Sequence, residues 1–159
     1  MTGTSSILRL TLAVMLLNLP CPSGLRADSV VRVHMIDART GKHIPKKPVR
    51  MWVIDAPDQW RPGYLEEKTD SNGVAVFHIS GTTPSLFRIR IGMGGWWEEC
   101  SPNDRAGYSA EEILVSGMSK EGFCGKLPNI AEQFHPTPGD IYIFAVHDTF
   151  GERLKRPVD

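Results

Sequence analysis

Short runs in which apolar and polar residues strictly alternate are the feature that most limits how this chain can fold. Val31, Val33 and Met35 alternate with Arg32 and His34; Val49, Met51 and Val53 with Arg50 and Trp52; Phe87, Ile89 and Ile91 with Arg88 and Arg90. A period of two places each apolar set on one face of an extended chain, so each run predicts a half-buried strand. Two further β-rich runs, Val74–Ile79 and Ile141–Val146, extend the series, and residues 66–69 read as a short strand. A long helix is excluded over these runs, because helical burial needs a period near 3.6.

The punctuation agrees with this pattern. Residues 37–42 form a turn around Gly41, residues 55–64 hold Pro57, Pro62 and Gly63 among polar and aromatic residues, and residues 80–85 turn again. Asn72-Gly73 is a tight-hairpin signal, since both residue types tolerate left-handed backbone. From Gly92 onward the character changes: Gly92, Gly94 and Gly95 lead into Trp96 and Trp97, and a polar loop follows Cys100. Ser109-Ala-Glu-Glu112 is a capping box that predicts a helix from Ala110 to about Val115, ended by Gly117. Residues 119–139 read as irregular and residues 153–159 as a fraying end. Six or so short strands joined by such turns predict an antiparallel β-sandwich, with a barrel as the alternative.

The first 27 residues predict the compartment. Arg9 precedes a ten-residue apolar stretch, Leu10–Leu19, which Pro20 and Pro22 interrupt before a cleavage point after Ala27. A charged start, a short apolar middle and a small residue at the cut are the parts of a secretory signal peptide. The stretch is about half the length needed to span a bilayer. Leu19 and Pro20 stand where a lipid-modified cysteine at Cys21 would want small residues, so lipid anchoring is not expected. The mature chain, residues 28–159, is expected to form one domain without a transmembrane helix, in the periplasm or outside the cell. Removing the leader takes Arg9 and Arg26 from 18 basic residues, leaving 16 against 18 acidic ones. A near-neutral balance argues against nucleic acid or anionic membrane as main partner.

Cysteine usage fits export. Cys100 and Cys124 are the two cysteines left in the mature chain, and an even pair in an oxidising compartment reads first as a disulfide. Its closure would be worth roughly 3.5 kcal/mol in the chain-entropy view. Two free thiols are the next reading and a metal site the last, since no Cys-x-x-Cys or clustered His accompanies them.

Two motifs carry a family resemblance. Val33-His-Met-Ile-Asp37, Thr40-Gly-Lys-His-Ile-Pro45 and Val49 follow one another as a strand, Asp, Thr-Gly, Pro, Val run, and Thr69-Asp-Ser-Asn-Gly-Val-Ala-Val-Phe77 forms a Thr-Asp-x-x-Gly-x-Ala-x-Phe hairpin. In this order they resemble the carboxypeptidase regulatory-like and transthyretin-like β-sandwiches, over roughly residues 30–91. The resemblance implies a Greek-key sandwich of about seven strands, with residues 92–140 as a loop and helix insertion before the last strand. It also implies an accessory, binding or adhesion-type module on secreted or surface proteins.

Catalysis is not expected. His34-Met-Ile-Asp37 also resembles the opening of 5-hydroxyisourate hydrolase, but Val74 stands where that family has an arginine, and the closing Tyr-Arg-Gly-Ser is missing. Without that cation nothing would polarise the substrate carbonyl. The related intradiol dioxygenases hold iron with two Tyr and two His. Tyr64, Tyr108, Tyr142 and the histidines supply the types without the spacing, and there is no His-x-His. Hydrolase, phosphate-loop and zinc-protease signatures are likewise missing. No catalytic residue, metal ligand or cofactor is therefore assigned.

Binding residues are expected instead among the aromatics on loops: Trp60, Tyr64, Trp96 and Trp97. Flat rings on a rigid scaffold offer large apolar area at low entropic cost. Rings that fold back to cover the core ends are the competing reading, favoured for Trp52 and one of Trp96 and Trp97. Three functions follow: a module binding a protein or glycan of the cell envelope, a structural subunit of an envelope assembly recruited through an edge strand, or a hydrolase of unrecognised type.

Overall fold

The computed structural model describes residues 28–56, 59–91, 97–100, 107–119 and 130–147. Residues 1–27, Trp96 and Cys124 lie outside them. Among the described residues ten strand segments form two packed sheets, with one α-helix and one 3₁₀ turn. The fold is mainly β, a two-sheet sandwich with a short helix.

The first sheet is ordered β5 (Val74–Ile79), β1 (Ser29–Asp37), β10 (Asp140–His147), β7 (Trp97–Glu99), with β9 (Met118–Ser119) also on β10. The second is ordered β3 (Gln59–Trp60), β2 (Pro48–Ala56), β6 (Leu86–Ile91), β8 (Tyr108–Ser109), with β4 (Leu65–Lys68) beside β3 on the same edge of β2. Two pairings, both made by β10, depart from the antiparallel expectation: its short pairing with β9 is parallel, and so is a longer one. β10 joins β1 in parallel, from Arg32 opposite Asp140 to Asp37 opposite Ala145. The sheet is mixed because β10 runs with β1 and β9, whereas β5 and β7 run against their neighbours.

The alternating residues do what their period dictates. Val31, Val33, Met35, Val49, Met51, Phe77, Phe87, Ile89, Ile141 and Ile143 fill the space between the sheets, each 3 % exposed or less. Truncating a ring such as Phe77 or Phe87 there would cost about 3–5 kcal/mol. A second apolar cluster covers the outer face of the first sheet: Ile36, Phe144 and Val146 pack with Ala38, Cys100, Ile130 and Ala131. The 3₁₀ turn Ile130–Gln133 supplies part of this cover. Residues 92–140 thus do more than insert a loop, since they lend strands to both sheets and a lid to one.

The helix α1 (Ala110–Ser116) starts and stops where the capping signals place it. Ser109 Oγ accepts from the Glu112 N–H at 3.2 Å, and the Gly117 N–H closes on Ile113 O. The hairpin of residues 69–77 is also explained residue by residue. Asp70 Oδ1 accepts from the N–H groups of Asn72 and Val74, at 2.8 and 2.9 Å. Buried Thr69 donates to Ile44 O and accepts from the Lys47 N–H. Gly73 sits at φ +74, where a Cβ would lie 2.9 Å from His43 Cβ.

Candidate functional site

The loop between β2 and β4 positions the candidate binding residues, and Arg61 fixes that loop. Its guanidinium donates to both Asp55 carboxylate oxygens at 2.8–3.1 Å, and to the carbonyls of Ser80 and Thr82 at 2.9 and 2.7 Å. One side chain therefore ties the edge of the second sheet to the turn after β5 in the first. The hydrogen bonds from Arg61 hold the Asp55 carboxyl below its usual range, and those to Asp55 raise the Arg61 guanidinium.

On this braced loop Trp60 and Tyr64 are 45 % and 48 % exposed. Each ring is backed by a cation: the Arg50 guanidinium lies 4.7 Å from the Tyr64 centroid and that of Arg88 lies 5.6 Å from Trp60. Trp52 is half-buried, tilted against Tyr64 at 5.4 Å. Arg50 in turn donates to Glu66, its register partner on β4, and that bond raises its affinity for the proton. The outcome is a lip of two rings held in place by guanidinium groups.

Behind the lip, a slot of about 310 Å³ opens between the two sheets. Met51, Val53, Leu65 and Ile79 form its apolar wall, and Arg61, Tyr64 and His78 its rim. It lies against the last two residues of β5, His78 and Ile79, on one side and the loop into β4 on the other.

Trp97 does not join this site. It belongs to β7 of the other sheet, packs partly buried against the core, and meets His147 edge to face at 5.2 Å. Its role is cover for the core. The expected bridge partner Cys124 and the second ring Trp96 fall outside the described residues; Cys100 is buried and its N–H donates to Phe144 O.

A separate polar cluster sits on the outer face of the first sheet. Asp140 accepts from Arg32 Nε at 2.6 Å, from Thr137 Oγ1 at 2.5 Å and from the Thr137 N–H at 3.1 Å; His34 Nε2 lies 3.2 Å away. Burial alone would push this carboxyl up, but the hydrogen bonds from Thr137, Arg32 and His34 outweigh it and hold it at about 2. His34 stacks on Tyr142 at 4.3 Å, and burial raises the Tyr142 hydroxyl. Both oxygens of Asp140 are thus engaged by groups that join β1, β10 and the turn before β10.

Arg32 and His34 are legible in sequence as neighbours on one strand face. Asp140 and the Arg61 clamp are not, because their partners are brought in by the fold. No protein-family model matches this chain, and no curated protein matches it in sequence.

Proposed function

We propose that this chain is an exported, non-catalytic binding module on a transthyretin-like, carboxypeptidase regulatory-like sandwich, and that Trp60 and Tyr64 contact its glycan or protein partner. The observation that supports this most is the pair of large exposed rings, each braced from behind and carried on a loop pinned by Arg61. Rings fixed before contact lose little freedom on binding, and that makes such residues strong anchors. The non-catalytic reading is supported by the titratable cluster at Asp140, whose polar contacts serve strand registration. Export is supported by the leader-like residues 1–27, and a Cys100–Cys124 bridge would suit that compartment.

The test is a titration of the mature chain with soluble oligosaccharides, followed by tryptophan fluorescence, beside capture from an envelope extract. The expected result is a partner whose binding falls about tenfold or more in Trp60→Ala and Tyr64→Ala. A partner that binds both variants as well as the parent chain would overturn the assignment of these rings. Intact mass of the exported protein should begin at Asp28, with Cys100 resistant to alkylation until reduction.

A further inference from the structure

Among the described residues β5 is an edge strand of the first sheet, and the slot beside it has an apolar wall that Trp60 does not line. β5 pairs with β1 in antiparallel register, Ala75 opposite Val33 and Phe77 opposite Val31. In such a ladder the backbone groups of successive residues point to alternate sides. The Val74 N–H and C=O turn away from β1, to the side chain and N–H of Asp70. Alternation therefore aims the N–H and C=O of Val76 and His78 away from β1 as well. Among the described residues nothing pairs with them, and both residues are exposed.

Edge strands normally carry a charge, a proline or a bulge that discourages pairing. Val74-Ala-Val-Phe-His-Ile79 carries neither a charged residue nor a proline, and its register with β1 runs unbroken. The slot adjoins this edge: Ile79 and His78 form one side of it, Met51, Val53 and Leu65 the other. Its far end is bridged by Arg61 on the Ser80 and Thr82 carbonyls. A strand laid along β5 would face alternate side chains into the gap between the sheets. At about 310 Å³ the gap takes aliphatic side chains, at the lower end of small-ligand pockets.

We propose that β5 is a docking edge for an extended peptide segment of a partner protein, which adds a strand beside Val76 and His78 and seats alternate apolar side chains in the slot. A second copy of this chain is a poorer occupant. Symmetric pairing of two β5 strands would leave both slots unfilled, because Ala75, Phe77 and Ile79 of each copy already fill its own core. Backbone bonding gives such a complex its affinity, and the alternate side chains give its selectivity.

The probe is a capped heptapeptide alternating valine and threonine, with a twin N-methylated at alternate backbone nitrogens. The expected result is saturable binding by the parent peptide, weakened about tenfold or more by methylation. Bound peptide should slow amide exchange at Val76 and His78, while Ala75 and Phe77, already bonded to β1, stay unchanged. Trp60→Ala should leave peptide binding intact, which separates this edge from the lip; a loss in that variant would overturn the edge and move the peptide to the rings. Equal binding of the methylated twin, protection elsewhere, or a β5-paired dimer that excludes peptide would each overturn the proposal.

Discussion

Arg32 Nε donates to Asp140 Oδ1 at 2.6 Å across a sequence separation of 108 residues. The two residues are also register partners at the start of the parallel β1–β10 pairing. Their contact therefore sets which residue of β10 meets which of β1, where a one-residue slip would turn Ile141 and Ile143 out of the core.

Acid should reveal this contact. The Asp140 carboxyl is held at about 2 in the folded chain, against about 3.9 unfolded. A carboxyl lowered by folding stabilises fully above its unfolded value, and the contribution disappears as pH falls from about 4 to about 2. It amounts to about 2–3 kcal/mol. Denaturant titrations across this window should show the decline, and Asp140→Asn should be less stable at neutral pH with that part of the acid response missing.

Gly73→Ala should destabilise the hairpin between β4 and β5. The position combines φ +74 with a Cβ site 2.9 Å from His43 and 3.0 Å from the Ile44 nitrogen. The expected loss is about 1–3 kcal/mol, read as a lower urea midpoint with an unchanged slope.

Thr69→Val preserves shape and removes one hydroxyl. It leaves the Ile44 carbonyl and the Lys47 N–H without the partner they have now. Because Thr69 is 2 % exposed, the expected cost is about 1–3 kcal/mol, measured by thermal or chemical unfolding.

Arg61→Ala should act locally. The Asp55 pair is partly exposed, so global stability should change by less than about 1 kcal/mol. Amide exchange over residues 59–65 should accelerate, because the loop loses its ties to Asp55, Ser80 and Thr82. Unchanged exchange there would show that the loop is held by other contacts.

Local chemistry accounts for what was legible in the sequence. The alternation in β1, β2 and β6, the Asp70–Gly73 turn and the Ser109 cap are each written within a few residues, and the fold uses them as read. Short register-dependent pieces were not legible: β3 lies in what reads as loop, and β7, β8 and β9 exist only as partners of longer strands. The parallel entry of β10 is likewise a tertiary choice, since period two says which face is buried and nothing of direction. For the site, Trp60 and Tyr64 are recognisable as loop aromatics. The guanidinium groups behind them come from Arg50 and Arg88 on other strands, which no spacing along the chain discloses.

The central place of β10 bears on biogenesis. β1, nearly the first described segment to emerge from a ribosome, waits for one of the last before its sheet can close. Contacts so distant along the chain slow the final collapse, so a nascent copy stays unfinished and threadable until residues 140–147 arrive.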